Sequence, residues 1–424
     1  MVYNIREVCG EFVKKMRKKY ENLRRPHESD IIPYMNREYK INQEKLNILI
    51  LSCSTGGGHN AAGMAMKEYL EEQGHQAYFP DYLAFAGEKV SEAVGKIYIK
   101  TVQKAPKVFG AVYRIGDAVS RHVKRSPVYY ANSAMREYLE KCLSETEYDA
   151  ILVPHLFPAE TLTSMKRKGM KVPPVIAIGT DYTSIPFWGE TECDYYVVPS
   201  REVGKEFVLA GIPEQKLLPY GIPAAPAYSG KISRAEAVKT IFGEEGCAEE
   251  GDGKIYLVAG GSMGAGNICQ LVGELKRKID EKDSVLVVCG SNQQVFEKMT
   301  QEFGTEENMH IYGWTDKMPV FMRAADVIFT KPGGLTSTEA ATAGCPIVHI
   351  DPIPGCETAN LNYFVKHGYS ISAKGAENQA AAGIRLAHDT ELREKMKERQ
   401  RADFKGDTAG KITDFILDIK SGLR

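Results

Sequence analysis

Ile328-Phe329-Thr330-Lys331-Pro332-Gly333-Gly334-Leu335-Thr336-Ser337-Thr338-Glu339 is the stretch whose reading decides the fold. Residues 327–330 are a short apolar, β-prone run, Pro332-Gly333-Gly334 is a sharp turn, and 337–343 is small-residue, helix-compatible sequence ending at Gly344-Cys345-Pro346. A strand, a glycine turn and a helix start leave backbone N–H groups unpaired at the positive end of a helix. That is a seat for phosphate. Glu339 falls about one turn into the helix, where a carboxylate accepts hydrogen bonds from ribose hydroxyls. Thr336-x-x-Glu339 also reads as a capping box, and spacing alone leaves both roles open.

Working outward, the same device recurs along the chain. Residues 46–52 are an almost continuously apolar strand of the kind buried in parallel sheets, followed by Ser54-Thr55-Gly56-Gly57-Gly58-His59, a helix over 61–73 closed by Gly74, and a strand near 76–82. Gly56-x-Gly58-x-x-Ala61, with Asp81 about 20 residues on, formally fits a dinucleotide fingerprint. His59 speaks against that, because an imidazole at the phosphate turn has no place in the plain motif. Strands at 150–154, 175–178 and 195–199 follow, the second leading into Gly179-Thr180-Asp181-Tyr182. Asp181 at a strand's carboxyl end is well placed for a site in an open α/β sheet, and an Asx turn is its plainer reading. Residues 224–253 are polar and glycine-rich, an interdomain connection. A second series opens at 254–259 with Gly260-Gly261-Ser262-Met263-Gly264, then 285–289 with Gly290-Ser291-Asn292, 310–312 with Gly313-Trp314, the opening stretch, and 346–350. Final helices are expected at 378–400 and 408–420.

Composition bounds the class. With 424 residues and a net charge of -1, the chain has room for two or three domains and no global field toward nucleic acid or membrane. Nine cysteines without a C-x-x-C pair fit a reduced cytosolic chain with neither disulfide frame nor zinc site. No signal peptide opens the sequence, and no apolar run reaches the ~18–20 residues of a membrane span. Residues 3–25 space Ile5, Val8, Phe12, Met16, Tyr20 and Leu23 as an amphipathic helix with a basic opposite face, suited to an anionic membrane or to packing on the body. Between 95 and 133 eight Lys and Arg face the single acid Asp117 and are interleaved with Tyr98, Phe109, Tyr113, Tyr129 and Tyr130. That mixture suits a phospholipid surface or single-stranded nucleic acid, or else an aromatic core under a solvated face.

Lys331-Pro332-Gly333-Gly334-Leu335-Thr336…Glu339, then Pro354-Gly355-Cys356-Glu357…Asn360-x-Asn362, resembles the donor half of the monogalactosyldiacylglycerol synthase family, which includes the bacterial processive diacylglycerol glucosyltransferases. The Gly-Gly-Gly-His loop is similar to that family's first loop. The resemblance spans roughly 46–380 and implies the GT-B architecture, an α/β fold of two doubly wound Rossmann-like domains facing across a cleft. The expected layout is a basic helix and connector at 1–45, an acceptor and membrane-side domain at 46–225, a UDP-sugar domain at 226–400 and a C-terminal helix at 401–424.

By the same resemblance, Gly56, Gly57 and Gly58 form the acceptor loop and His59 is the general base, with Asp181 placed to assist it or replace it. Gly260, Gly261 and Gly264 border the diphosphate and donor sugar. Gly290 and Asn292 lie near the nucleoside, and Trp314 beside the base. Gly333, Gly334 and Thr336 take the phosphates and Glu339 the ribose, while Glu357 and Asn360 contact the donor sugar or phosphates. The region 95–133 corresponds to membrane docking. The implied activity is inverting transfer of a hexose from UDP-glucose or UDP-galactose to a lipid hydroxyl, diacylglycerol first, peripherally at the inner face of the cell membrane, with no cofactor, metal or nucleic acid. No Asp-x-Asp pair is present for a metal-dependent route. Cys356 stands where the family usually has glutamine, and Ser184-Ile185-Pro186 where it usually has a histidine, so the hexose and the acceptor stay open. The alternatives are a non-glycerolipid or soluble acceptor, a sugar-nucleotide epimerase or hydrolase, and a UDP- or lipid-binding protein without turnover.

Overall fold

A computed structural model describes residues 45–53, 57–83, 126–185, 187–230, 232–243, 253–260 and 268–423. The N-terminal basic helix, Gly56, Gly261, Gly264 and the greater part of the 95–133 segment lie outside the described residues.

Two six-stranded parallel sheets carry the molecule. The first holds β1 Asn47–Ile50, β2 Gln76–Tyr78, β3 Ala150–Val153, β4 Val175–Ile178, β5 Tyr195–Val197 and β6 Leu217–Leu218, in the order β2-β1-β3-β4-β5-β6. The second holds β7 Ile255–Ala259, β8 Ser284–Val288, β9 Met309–Tyr312, β10 Val327–Thr330, β11 Ile347–His349 and β12 Ser370–Ser372, in the order β12-β11-β10-β7-β8-β9. The helices are α1 Gly57–Glu72, α2 Pro127–Ser133, α3 Arg136–Glu145, α4 Leu156–Arg167, α5 Arg201–Leu209, α6 Pro226–Ser229, α7 Arg234–Phe242, α8 Ile268–Lys278, α9 Gln293–Phe303, α10 Met318–Ala324, α11 Gly334–Thr342, α12 Cys356–His367, α13 Ala376–His388, α14 Thr390–Asp403 and α15 Thr408–Lys420.

Burial explains why these runs are strands. All four residues of β3 and of β4, and all five of β7, are buried, as helices on both faces of a parallel sheet require. Close packing of α1 on its sheet depends on Gly63, where a Cβ would come within 2.7 Å of the Phe79 ring and 3.3 Å of Ile50. Residues 46–424 form one compact unit. The last helix ties its ends together: Ala409, Ile412, Phe415 and Ile416 of α15 pack with Leu46, Ile48 and Ile50 of the first half.

Three expectations need correction. Helix α1 starts at Gly57 rather than at 61, which brings His59 into its first turn. The helix expected over 378–400 is two helices, because Asp389 ends α13 and caps α14 by accepting the Leu392 N–H at 2.9 Å. Edge strands β6 and β12, two and three residues long, were not anticipated, since runs so short carry no period. The seven described cysteines are all free thiols.

Candidate active site

The first half of the site forms where its sheet reverses direction. Strands β1 and β3 are neighbours, while the chain runs outward from β1 to β2 and later from β3 to β4. That switch point opens a crevice at the strands' carboxyl ends. His59 enters it from the first turn of α1. Its Nδ1 lies 2.9 Å from the Pro154 carbonyl oxygen, just past β3, and 2.8 Å from Thr180 Oγ1, just past β4. A carbonyl only accepts, so Nδ1 carries the proton and Nε2 keeps the lone pair. Burial pulls the His59 pKa below its ordinary value of 6.5, against the opposing pull of the Asp181 charge and the Pro154 carbonyl. The imidazole is therefore neutral near pH 7 and can take a proton. His155 meets it edge-on, with ring centroids 4.7 Å apart, and is itself held neutral, first by burial and then by His59.

The second half is built on the same plan with different contents. Strands β7 and β10 flank the switch point of their sheet, with Ala259 paired to Thr330 and to Val288. Gly260, Gly290 and the Pro332-Gly333-Gly334 turn therefore stand at one carboxyl edge. Gly333 is the N-cap of α11, and among the described residues no side chain caps the helix. Its first-turn amides are thus placed to receive an anion. With the helix starting at Gly334, Thr336 lies inside the first turn, and the capping box with Glu339 does not form.

Glu339 instead turns its enclosed carboxyl to the Tyr228 hydroxyl on α6, and burial pushes its pKa up to about 8. Lys331 is buried beside the turn, its Nζ 3.2 Å from Glu357 Oε1; the other Glu357 oxygen accepts the Ile353 N–H at 2.7 Å. Glu357 is thus bound to a neighbouring cation and a backbone amide. Asn292 caps α9 by accepting the Val295 N–H at 3.1 Å, and Trp314 is 75% exposed just after β9.

The loop after β4 joins the two halves at the site. Asn360 on α12, fully buried, donates from Nδ2 to Asp181 Oδ1 at 2.8 Å and to the Pro332 carbonyl at 3.0 Å, and accepts the Tyr182 N–H at 2.6 Å. The Tyr182 hydroxyl lies 2.7 Å from Thr338 Oγ1 on α11, with its ring packed edge-on against Phe364. Gly334 is needed at this contact, because a Cβ there would fall 2.0 Å from the Thr180 carbonyl oxygen. A Cβ on Gly58 would stand 3.9 Å from that of Leu335, so the starts of α1 and α11 face each other. Cys356 opens α12 next to Asp181, its thiol pushed up by burial and by that charge.

The structure thus brings together His59, Asp181, Gly334 and Asn360. Trp314 and Asn292 stand apart from that contact set, after β9 and β8. His155, Thr180, Tyr182, Tyr228 and Lys331 were not singled out from the sequence. Lys331 lay inside the opening stretch, Thr180 and Tyr182 flanked Asp181, and His155 lay in the Pro154-His155-Leu156-Phe157-Pro158 run that follows the strand at 150–154; Tyr228 lay in no marked motif.

A family model for Monogalactosyldiacylglycerol (MGDG) synthase matches residues 59–224, and one for Glycosyl transferases group 1 matches residues 263–403. The processive diacylglycerol beta-glucosyltransferase of Bacillus mycoides is 25% identical over 379 residues, 87% of this chain and 93% of that protein. Its namesake from Bacillus cereus is 24% identical over 374 residues, again 87% and 93%. Among solved structures, MurG of Acinetobacter baumannii superposes with a TM-score of 0.57 at 14% identity, over 88% of this chain and 100% of that one. The UDP-GlcNAc 2-epimerase of Neisseria meningitidis bound to UDP-GlcNAc also gives 0.57, at 15% identity over 88% and 100%. At such identities the likeness is one of fold.

Proposed function

The chain joins a monogalactosyldiacylglycerol synthase domain to a group 1 glycosyl transferase domain in one GT-B frame, and from that premise we propose that it transfers a hexose from a UDP-sugar to the hydroxyl of a lipid, diacylglycerol. One observation carries the reading: two switch-point helix starts face each other, one holding a neutral imidazole and the other a glycine N-cap beside a lysine.

The reaction is a single displacement. An acceptor hydroxyl between the halves gives its proton to His59 Nε2, and its oxygen forms the new bond to the anomeric carbon. The bond from that carbon to the β-phosphate oxygen breaks, and UDP leaves with the electron pair. Attack from the face opposite the leaving group inverts the configuration. Charge developing on the diphosphate is met by the start of α11 and by Lys331, so a resident metal is not needed.

Diacylglycerol is supported by the names of the relatives and by the basic-aromatic composition of 95–133. Where that region re-enters the described residues, Tyr130 is 61% exposed. No described helix is long and apolar enough to cross a membrane; the enzyme works peripherally on the inner, anionic face of the cell membrane. Binding to phosphatidylglycerol vesicles is expected to weaken steeply with salt, as about 1 kcal/mol per basic residue implies.

The test is UDP release from UDP-glucose and UDP-galactose with and without diacylglycerol liposomes, repeated in EDTA. Release that requires the liposomes and survives EDTA supports the proposal. Release without acceptor would identify a hydrolase on the same fold, a new UDP-sugar without release an epimerase, and abolition by EDTA would overturn the metal-free mechanism.

A further inference from the structure

The resemblance assigns Asn360 to the donor, yet its carboxamide is already committed. Both Nδ2 hydrogens have acceptors, the Asp181 carboxylate and the Pro332 carbonyl, and Oδ1 holds the Tyr182 N–H. These partners fix the amide's orientation, since a carboxylate and a carbonyl require N–H donors and a backbone N–H requires the oxygen. The residue is fully buried. The three partners come from two loops with opposite duties in the proposed reaction. Asp181 and Tyr182 continue from Thr180, whose hydroxyl touches His59 and whose carbonyl abuts Gly334. Pro332 opens the phosphate turn.

We propose that Asn360 is a positioning residue. It registers the Asp181 carboxylate on the phosphate turn, and through Asp181 sets the field in which His59 works. This rests on His59 being the base of the reaction proposed above. Asp181 raises the His59 pKa against burial, so a carboxylate held at a fixed place holds the base at a fixed strength. Without the carboxamide, Asp181 loses its donor and its place, and its pull on the imidazole weakens. A residue contacting the donor sugar would instead show itself in binding.

The test compares Asn360→Ala with Thr338→Val, which breaks the Tyr182–Thr338 hydrogen bond in the same contact without touching Asp181. For Asn360→Ala, kcat is expected to fall about ten- to a hundredfold, a part of the roughly 10²–10⁴ that general-base assistance supplies. UDP affinity should stay within about threefold, and the acid limb of the kcat–pH profile should move to lower pH. Thr338→Val should lower the melting temperature and leave the limb in place. An unmoved limb with wild-type kcat in Asn360→Ala would overturn the proposal. So would loss of UDP affinity by about tenfold or more at unchanged kcat, which would return Asn360 to the donor site. If Asn360→Ala does not fold, the exchanged pair Asp181→Asn with Asn360→Asp keeps a hydrogen bond between the loops; the same downward shift is expected, and its absence counts against the proposal. Titration of the His59 imidazole by side-chain NMR, with no substrate present, separates the two readings. A wild-type protein that fails to glycosylate diacylglycerol sinks only the function, while the imidazole shift in Asn360→Ala still decides the positioning role.

Discussion

The turn Gly57-Gly58-His59 after β1 and the turn Pro332-Gly333-Gly334 after β10 each stand at the carboxyl end of a strand beside its sheet's switch point, and each starts a helix. They differ in what stands at the helix start. In the first half it is an imidazole tied through Nδ1 to Pro154 and Thr180; in the second it is a glycine N-cap, with no capping side chain among the described residues. A positive helix end helps keep a histidine neutral, and the same end stabilises a departing phosphate. One backbone device therefore serves proton acceptance on one side and anion release on the other, and the residue filling the turn decides which.

Removing the imidazole is the sharpest way to break this contrast. His59→Ala should lower turnover by about 10²–10⁴, the range of general-base assistance, while UDP affinity stays nearly intact. The pKa of His59 is lowered, so the midpoint of the wild-type rate's rise with pH should lie below the ordinary 6.5, and the variant should lose that limb. Wild-type turnover with an unchanged profile would place the base elsewhere, with Asp181 the first residue to examine.

The glycines of the second turn sharpen it next. A methyl at Gly334 would meet the Thr180 carbonyl oxygen at 2.0 Å, and a backbone atom yields only if the two halves part. Gly334→Ala should therefore cost about 1–3 kcal/mol of stability and about tenfold or more in kcat/KM. Gly333 has an ordinary φ of -71°, and a Cβ added there would meet nothing within 4 Å. Gly333→Ala should keep the melting temperature and weaken UDP alone. If instead both variants melt alike, Gly334 is not at a contact between the halves.

The doubly wound halves were legible because parallel strands buried on both faces are unbroken apolar runs ending in glycine, as 175–178 and 255–259 show. His59 was legible because imidazole at such a turn is out of place in the plain motif. Roles set by contacts between distant residues were not. Thr336-x-x-Glu339 fits a capping box on spacing, but Gly333, three residues earlier, starts the helix, and Tyr228, 111 positions upstream in the numbering, receives the carboxyl. Likewise Asn360 reads as a donor contact until Asp181 and Tyr182 are seen against it. No local period records which side chains a second domain will bring.

Glu339 gives the smallest expected effect and separates its two remaining roles. Its carboxyl is held near pKa 8 by burial, against an ordinary 4.5. Between those values the folded protein keeps a proton that the unfolded chain has released, so this residue's contribution makes stability fall as pH rises through that window. His59 behaves oppositely: with its pKa lowered, stability is lost as pH falls below 6.5. Glu339→Gln removes the carboxyl's titration while keeping a polar partner for Tyr228. The variant should therefore be more stable than the wild type at pH 8.5 and differ little at pH 4. If the carboxylate takes ribose hydroxyls, UDP binding at pH 7 should release up to about one proton, read by calorimetry in buffers of different ionisation enthalpy, and Glu339→Gln should abolish that release and weaken UDP about tenfold. Unchanged UDP affinity without proton release would leave Glu339 a structural partner of Tyr228, and the second turn would then bind its anion through backbone and Lys331 alone.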